Sequence, residues 1–221
     1  MYLEDTAAYL DNERKKRILE ELHFNAFRTI KSVYLFKHFD EYVEQLHSDK
    51  NEGKKEVYWN ASYYEKLIDY VKISIAFETY NKAVLLDKGI LVHKIKSNKL
   101  TKSYSEIQKS GLPIIANDIV QTFGTSKDYK GKIFLNGLTE YFQTIKYSDT
   151  LKGEYQKIIG LDKDLIHHLI RINENRNRLH FFTDFKGAFE VNRHIKKWQF
   201  IMEKSVETIE LPLKLKRQSS S

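Results

Sequence analysis

Leu165-Ile-His-His-Leu-Ile-Arg-Ile-Asn-Glu-Asn-Arg-Asn-Arg-Leu-His-Phe-Phe182 is the stretch on which the reading of this chain turns. On a helix of about 3.6 residues per turn, Leu165, Leu169, Ile172, Arg176 and His180 fall along one stripe. Asn173 and Asn177 lie beside it on the same side. An apolar, inward-facing stripe therefore turns polar in its last two turns. Burying such groups is costly unless they are paired or line a cleft. Asp162 is placed to cap the start of this helix, which should reach about His180.

The flanking sequence is also helical in pattern. No glycine or proline occurs from Met1 to Glu52, so this region reads as one or two long helices. Ile18, Leu22, Phe27, Ile30, Val33, Phe36, Phe39 and Val43 give it one apolar face. Ser62-Tyr-Tyr-Glu65 has the form of a capping box, predicting a second helix from there to about Lys88 with Gly89 stopping it. In that helix Tyr64, Ile68, Val71, Ile75 and Tyr80 form one stripe and Ile73, Phe77 and Val84 another, as expected for a central helix with neighbours on both sides.

Residues 89–160 hold seven of the nine glycines and are the natural place for a family-specific insertion. Short helices are expected at Ile114 to Phe123 and Ile133 to Lys146, with an exposed basic loop from Gly124 to Gly131 between them. A last helix should run from about Ala188 to Pro212, carrying Val191, Ile195, Trp198, Met202, Val206 and Ile209. Residues 214–221 read as a fraying basic and serine-rich tail. The expected architecture is one all-α domain over residues 1–213, an up-and-down bundle of about five or six helices.

The chain has 221 residues, and 37 Lys+Arg against 30 Asp+Glu leave a formal charge of +7. It has no cysteine, which excludes disulfides, thiolate metal sites and a cysteine nucleophile. The N-terminal residues lack the pattern of a secretion signal. No window approaches the roughly 18 apolar residues of a membrane span. A soluble, cytoplasmic protein is expected, and the positive surplus favours a polyanionic partner.

Within that frame the polar end of the Leu165–His180 stripe carries definite chemistry. A histidine near neutral pKa passes protons, and an arginine holds a phosphate bidentately. With asparagine donors beside them, these groups suffice for RNA cleavage without a metal or cofactor. The 2′-hydroxyl would attack the neighbouring phosphate while the histidine moves the proton. The competing reading is a satisfied hydrogen-bond network in which Arg176, Asn177 and His180 tie helix ends together. Arg178 points elsewhere and suits a surface contact, and Glu174 can pair with it one turn on.

Arg176-Asn177-Arg178-Leu179-His180 resembles the signature of the HEPN superfamily, the nucleotide-binding helical domains of higher eukaryotes and prokaryotes. That signature is an Arg, commonly followed by Asn or another polar residue, then a His after about four to six residues. Ala76-Phe-Glu-Thr-Tyr-Asn-Lys-Ala-Val-Leu-Leu-Asp-Lys-Gly89 is similar to the superfamily's early core helix, and His93 follows where a histidine often does. The resemblance spans about half of the chain in two segments. In this chain only three residues separate Arg176 from His180, a spacing that still places both on one helix face. It fits either a divergent enzyme or a member that kept the scaffold without the activity.

The resemblance implies a HEPN-like bundle that forms a homodimer, with two Arg–His motifs facing a shared cleft. It implies a metal-independent endoribonuclease of a toxin–antitoxin, phage-defence or CRISPR-associated system, with an antitoxin or defence-complex partner. Arg176, His180 and Asn177 would be catalytic. Asn173 and Arg178, with Lys127 and Lys132 from the basic run that they bound, would hold RNA. Phe182 stands where some toxin members carry a regulatory tyrosine, so that regulation is not expected.

Other signals are weaker. His167 and His168 point about 100° apart on a helix and cannot share one metal ion, so they read as surface or packing groups. Gly131-Lys132 alone does not make a phosphate loop. The basic runs at Lys94–Lys99 and Lys127–Lys132 suit either solvated surface or RNA guidance. A helical DNA-binding regulator would need a basic recognition helix, and no helix-turn-helix signal is present.

Overall fold

The computed structural model describes residues 12–52, 55–95, 112–115, 142–178 and 191–212. These residues are all-α apart from one two-stranded sheet. In chain order they form α1 (Asn12–Lys31), α2 (Tyr34–Lys37), α3 (Phe39–Glu52), α4 (Lys55–Asp87), β1 (His93–Ile95), β2 (Phe142–Thr144), α5 (Tyr147–Thr150), α6 (Gly153–Ile159), α7 (Lys163–Arg178) and α8 (Val191–Ser205), and α8 continues into a π-helical turn at Val206–Glu210. Among the described residues no helix is long and apolar enough to cross a membrane. The described residues up to 23 and from 78 to 160 belong to one compact unit, and those from 24 to 77 and from 161 onward to another.

In the second unit, Ala26, Ile30, Val33, Leu35, Tyr42, Leu46, Ile73, Ala76 and Phe77 are buried together with Leu165, Leu169, Ile172, Trp198, Ile201 and Ile209. α8 packs against α7 and α3. Asp162 caps α7 as expected, its Oδ1 accepting the backbone N–H groups of Asp164 at 2.9 Å and Leu165 at 3.0 Å.

Among its described residues the glycine-free N-terminal region forms three helices, where one or two were expected. The chain breaks at Ser32-Val33 because a side chain distant in sequence caps the restart. Asp69, buried in α4, accepts the N–H of Tyr34 on Oδ1 at 2.9 Å and that of Leu35 on Oδ2 at 2.8 Å. Lys72, one turn on, donates to the Ser32 carbonyl at 2.7 Å and lies 3.6 Å from Asp69 Oδ1. The break also resets the helical phase. Ile30 and Val33 are buried as expected, but Leu35, Tyr42 and Leu46 replace Phe36, Phe39 and Val43 on the core side.

α4 begins at Lys55, so Ser62 sits inside the helix and does not start it. Its upstream residues contain no breaker, and a capping box acts as a cap only where the preceding chain leaves the helix. The stripe through Ile68, Val71 and Ile75 is not core: Ile68 is 55% and Ile75 42% exposed. The inward face instead carries Asp69, Ile73, Ser74, Ala76 and Phe77. In α8 the buried line is Trp198, Ile201, Ser205 and Ile209, and Val206 is exposed, because the wide π turn shifts the phase of the last residues.

In the first unit, Gly89 (φ 78°) ends α4. The chain then turns into Ile90, Leu91 and Val92, all buried. Leu91 donates its N–H to the Ile114 carbonyl, Ile145 donates to the Val92 carbonyl, and Ile90 bridges Ile115. β1 and β2 pair antiparallel with His93 opposite Thr144 and Ile95 opposite Phe142. The helix expected over Ile133 to Lys146 is therefore a strand at Phe142–Thr144. A period read in isolation cannot anticipate a partner strand far back in the chain, and strand propensity depends on such context. Ile114-Ile115 likewise joins a bridge and not a helix start. The rest of those two expected helices, the Gly124–Gly131 loop and the 214–221 tail lie outside the described residues.

A buried polar chain crosses this unit. Asn81 donates its amide to Thr150 Oγ1 at 2.9 Å, and Thr150 donates to the Tyr147 carbonyl at 2.7 Å. Gly160 (φ 75°) takes the left-handed conformation that closes α6.

Candidate functional site

Over its first three turns α7 follows the helical period read from the sequence. Leu165, Leu169 and Ile172 are fully buried, Ile166 nearly so, and His167, Ile170, Arg171 and Glu174 are exposed. The stripe continues into Asn173 and Arg176, both half-buried, and Arg176 takes part in a further interaction within the fold. Asn177 and Arg178 close the helix, but their side chains lie outside the described residues, as do His180, Lys127 and Lys132. The structure thus describes Arg176 and Asn173 at the end of the buried stripe.

A second polar group on the same unit has no simple signal in the sequence. Tyr42 of α3 and His194 and Trp198 of α8 meet at a single ring nitrogen. Tyr42 Oη is 2.7 Å and Trp198 Nε1 3.0 Å from His194 Nε2. An indole N–H only donates, so Nε2 must carry the lone pair. In that arrangement the imidazole carries its proton on Nδ1, and the Tyr42 hydroxyl shares the same ring nitrogen. Trp198 is fully buried and stacks on Tyr70 of α4, centroid to centroid 5.5 Å. The i,i+4 spacing of His194 and Trp198 is legible in the sequence; the tyrosine 152 residues away is not.

His168, read from sequence as a surface or packing group, is half-buried and edge-on to Phe200 of α8 at 5.5 Å. His167 is exposed. In the first unit His93 is pushed down to about 4 by burial, with the Lys82 ammonium adding to the effect. It is a neutral imidazole over the physiological range. Tyr155 is pushed up to about 12, by burial and then by the Asp149 charge. Asp149 itself is drawn up by burial, yet its hydrogen bonds from Lys94 and the Lys146 N–H win and hold it below its ordinary value.

Among the described residues no group of three or more His, Asp or Glu side chains is placed to hold a metal ion. No protein-family model, curated protein or solved structure matches the chain.

Proposed function

We propose that the chain is a HEPN-like, metal-independent endoribonuclease in which Arg176 and His180 form the catalytic pair. The observation that carries this reading is the character of α7. Three fully buried aliphatic residues are followed, on the same face, by a half-buried arginine with a half-buried asparagine beside it. Helices seldom place such groups in line with their core stripe without a use for them. Arg176 would hold the scissile phosphate through its two-pronged guanidinium and stabilise the charge that develops on it. His180, four residues further along the sequence, would take the proton of the 2′-hydroxyl or return one to the leaving 5′-oxygen. The products are then a 2′,3′-cyclic phosphate and a 5′-hydroxyl. Asn177 would orient the phosphate or the imidazole, and Asn173, Arg178, Lys127 and Lys132 would contact the RNA.

The proposal extends to a homodimer, in which two such patches share one cationic cleft, and to a cytoplasmic toxin, phage-defence or CRISPR-associated role. Incubation of the purified protein with RNA in EDTA tests the chemistry. Cleavage by wild type that disappears in Arg176→Ala and His180→Ala is expected. Equal cleavage by wild type and His180→Ala, or no cleavage of any RNA, would refute it. Light scattering tests the dimer.

The second reading is a non-catalytic HEPN-like module that binds nucleotide, RNA or a protein partner. The Arg176–His180 spacing, one residue short of the superfamily pattern, favours it. It requires binding without turnover.

A further inference from the structure

We propose that the face formed by α7 and α8 is a second phosphate-binding site, built from His168, Arg171 and Lys197 and taking the phosphodiester backbone of single-stranded RNA. It rests on the ribonuclease reading for its substrate class, but involves none of the residues of the Arg176–His180 motif.

The two helices pack against each other, and both carry basic side chains. His168 and Arg171 are one turn apart on α7. Lys197 lies one turn before Phe200, the ring against which His168 sits edge-on at 5.5 Å. The Lys197 ammonium is 5.6 Å from the Trp198 ring centroid. Arg171 is exposed, whereas His168 and Lys197 are half-buried.

Three features mark it as a seat for an anion. First, among the described residues neither Arg171 nor Lys197 makes an ion pair. Second, the Nδ1 of His168 is buried and has no hydrogen-bond partner. A buried polar atom with no partner is costly unless a ligand completes it. Third, the cations act on one another. Burial and then the Arg171 charge push Lys197 below its ordinary value. Burial and then Lys197, His167 and Arg171 push His168 the same way, with Asp164 as the one opposing charge. Like charges outnumber the single opposing carboxylate here and repel one another; a polyphosphate backbone relieves that repulsion and releases its own counter-ions on binding. The planar guanidinium matches a phosphate's paired oxygens and the half-buried ammonium supplies a point charge.

The test uses the full chain in a His180→Ala background, so that RNA is not consumed. Anisotropy of a fluorescent single-stranded RNA is titrated at several salt concentrations for this background and for added Arg171→Gln, Lys197→Gln and both. Removing one cation should lower the slope of log affinity against log salt by about 0.7, and removing both by about 1.4, with binding at least tenfold weaker near 0.1 M salt in the double variant. Arg171→Lys should keep most of the affinity. Removing like charges should leave the thermal midpoint unchanged or raise it. If Lys197→Gln, being half-buried, unfolds the protein, exposed Arg171→Gln carries the test alone.

Unchanged RNA affinity and slope in Arg171→Gln and the double variant would overturn this site while leaving the ribonuclease reading intact. Conversely, RNA binding that weakens in these variants, with no cleavage by the wild type, would uphold the site and refute the nuclease. No RNA binding by the background protein overturns the site, as does binding of phosphatidylserine vesicles in its place.

Discussion

Asp69 Oδ2 accepts the backbone N–H of Leu35 at 2.8 Å across 34 residues of sequence, and its other oxygen takes the N–H of Tyr34. A helix start that would ordinarily be capped by its own preceding residue is capped from another helix. Asp69→Ala would leave two N–H groups without acceptors, one of them buried, and strip Lys72 of its carboxylate. A destabilisation of about 2–3 kcal/mol is expected, read from the urea midpoint. Asp69→Asn keeps one acceptor and should cost about half as much.

His194 offers a sharper structural test. Because Trp198 can only donate to Nε2, long-range nitrogen–proton NMR should show His194 as the Nδ1–H tautomer. The opposite tautomer would contradict the arrangement. Trp198→Phe removes the donor and part of a fully buried ring, and should cost about 1–3 kcal/mol. It should also release the tautomer preference, a change that weaker packing alone does not produce.

His93 gives the fold a pH dependence of definite sign. Its value in the folded protein, about 4, lies below the unfolded value of 6.5. The unfolded chain therefore takes up the proton first as pH falls. Stability should be full above about 6.5 and decline towards pH 4, by at most about 3 kcal/mol from this residue. Denaturant titrations at pH 7 and pH 4.5 should show that difference shrink in His93→Gln. An identical difference in the variant would place the dependence elsewhere.

Arg176→Lys separates catalysis from packing. If the guanidinium clamps a phosphate, the lysine variant keeps the charge but not the fork. Cleavage should then fall about 10²- to 10³-fold in kcat, with a much smaller change in KM. If Arg176 only ties helix ends together, thermal stability falls and the residual activity follows the folded fraction.

Much of the helical inventory is legible in local signals, because those signals are local in origin. Asp162 caps α7 through its own next residues, Gly89 and Gly160 close helices through a backbone conformation that side chains resist, and Leu165, Leu169 and Ile172 follow the helical period into the core. Features that depend on a distant partner are not legible in this way. The break at Ser32-Val33 needs Asp69; Phe142–Thr144 is a strand because His93–Ile95 lies beside it; Ile68 and Ile75 have helical spacing yet face outward because Asp69, Ile73 and Phe77 take the inward side.

The candidate sites divide along the same line. Residue type and spacing along one helix were enough for the all-α class, the polar end of α7 and the exclusion of cysteine chemistry. Folding was needed to bring Tyr42 to His194 and to set His168 against Phe200. A helix period places residues on a face, but which faces meet depends on packing between segments far apart in the chain.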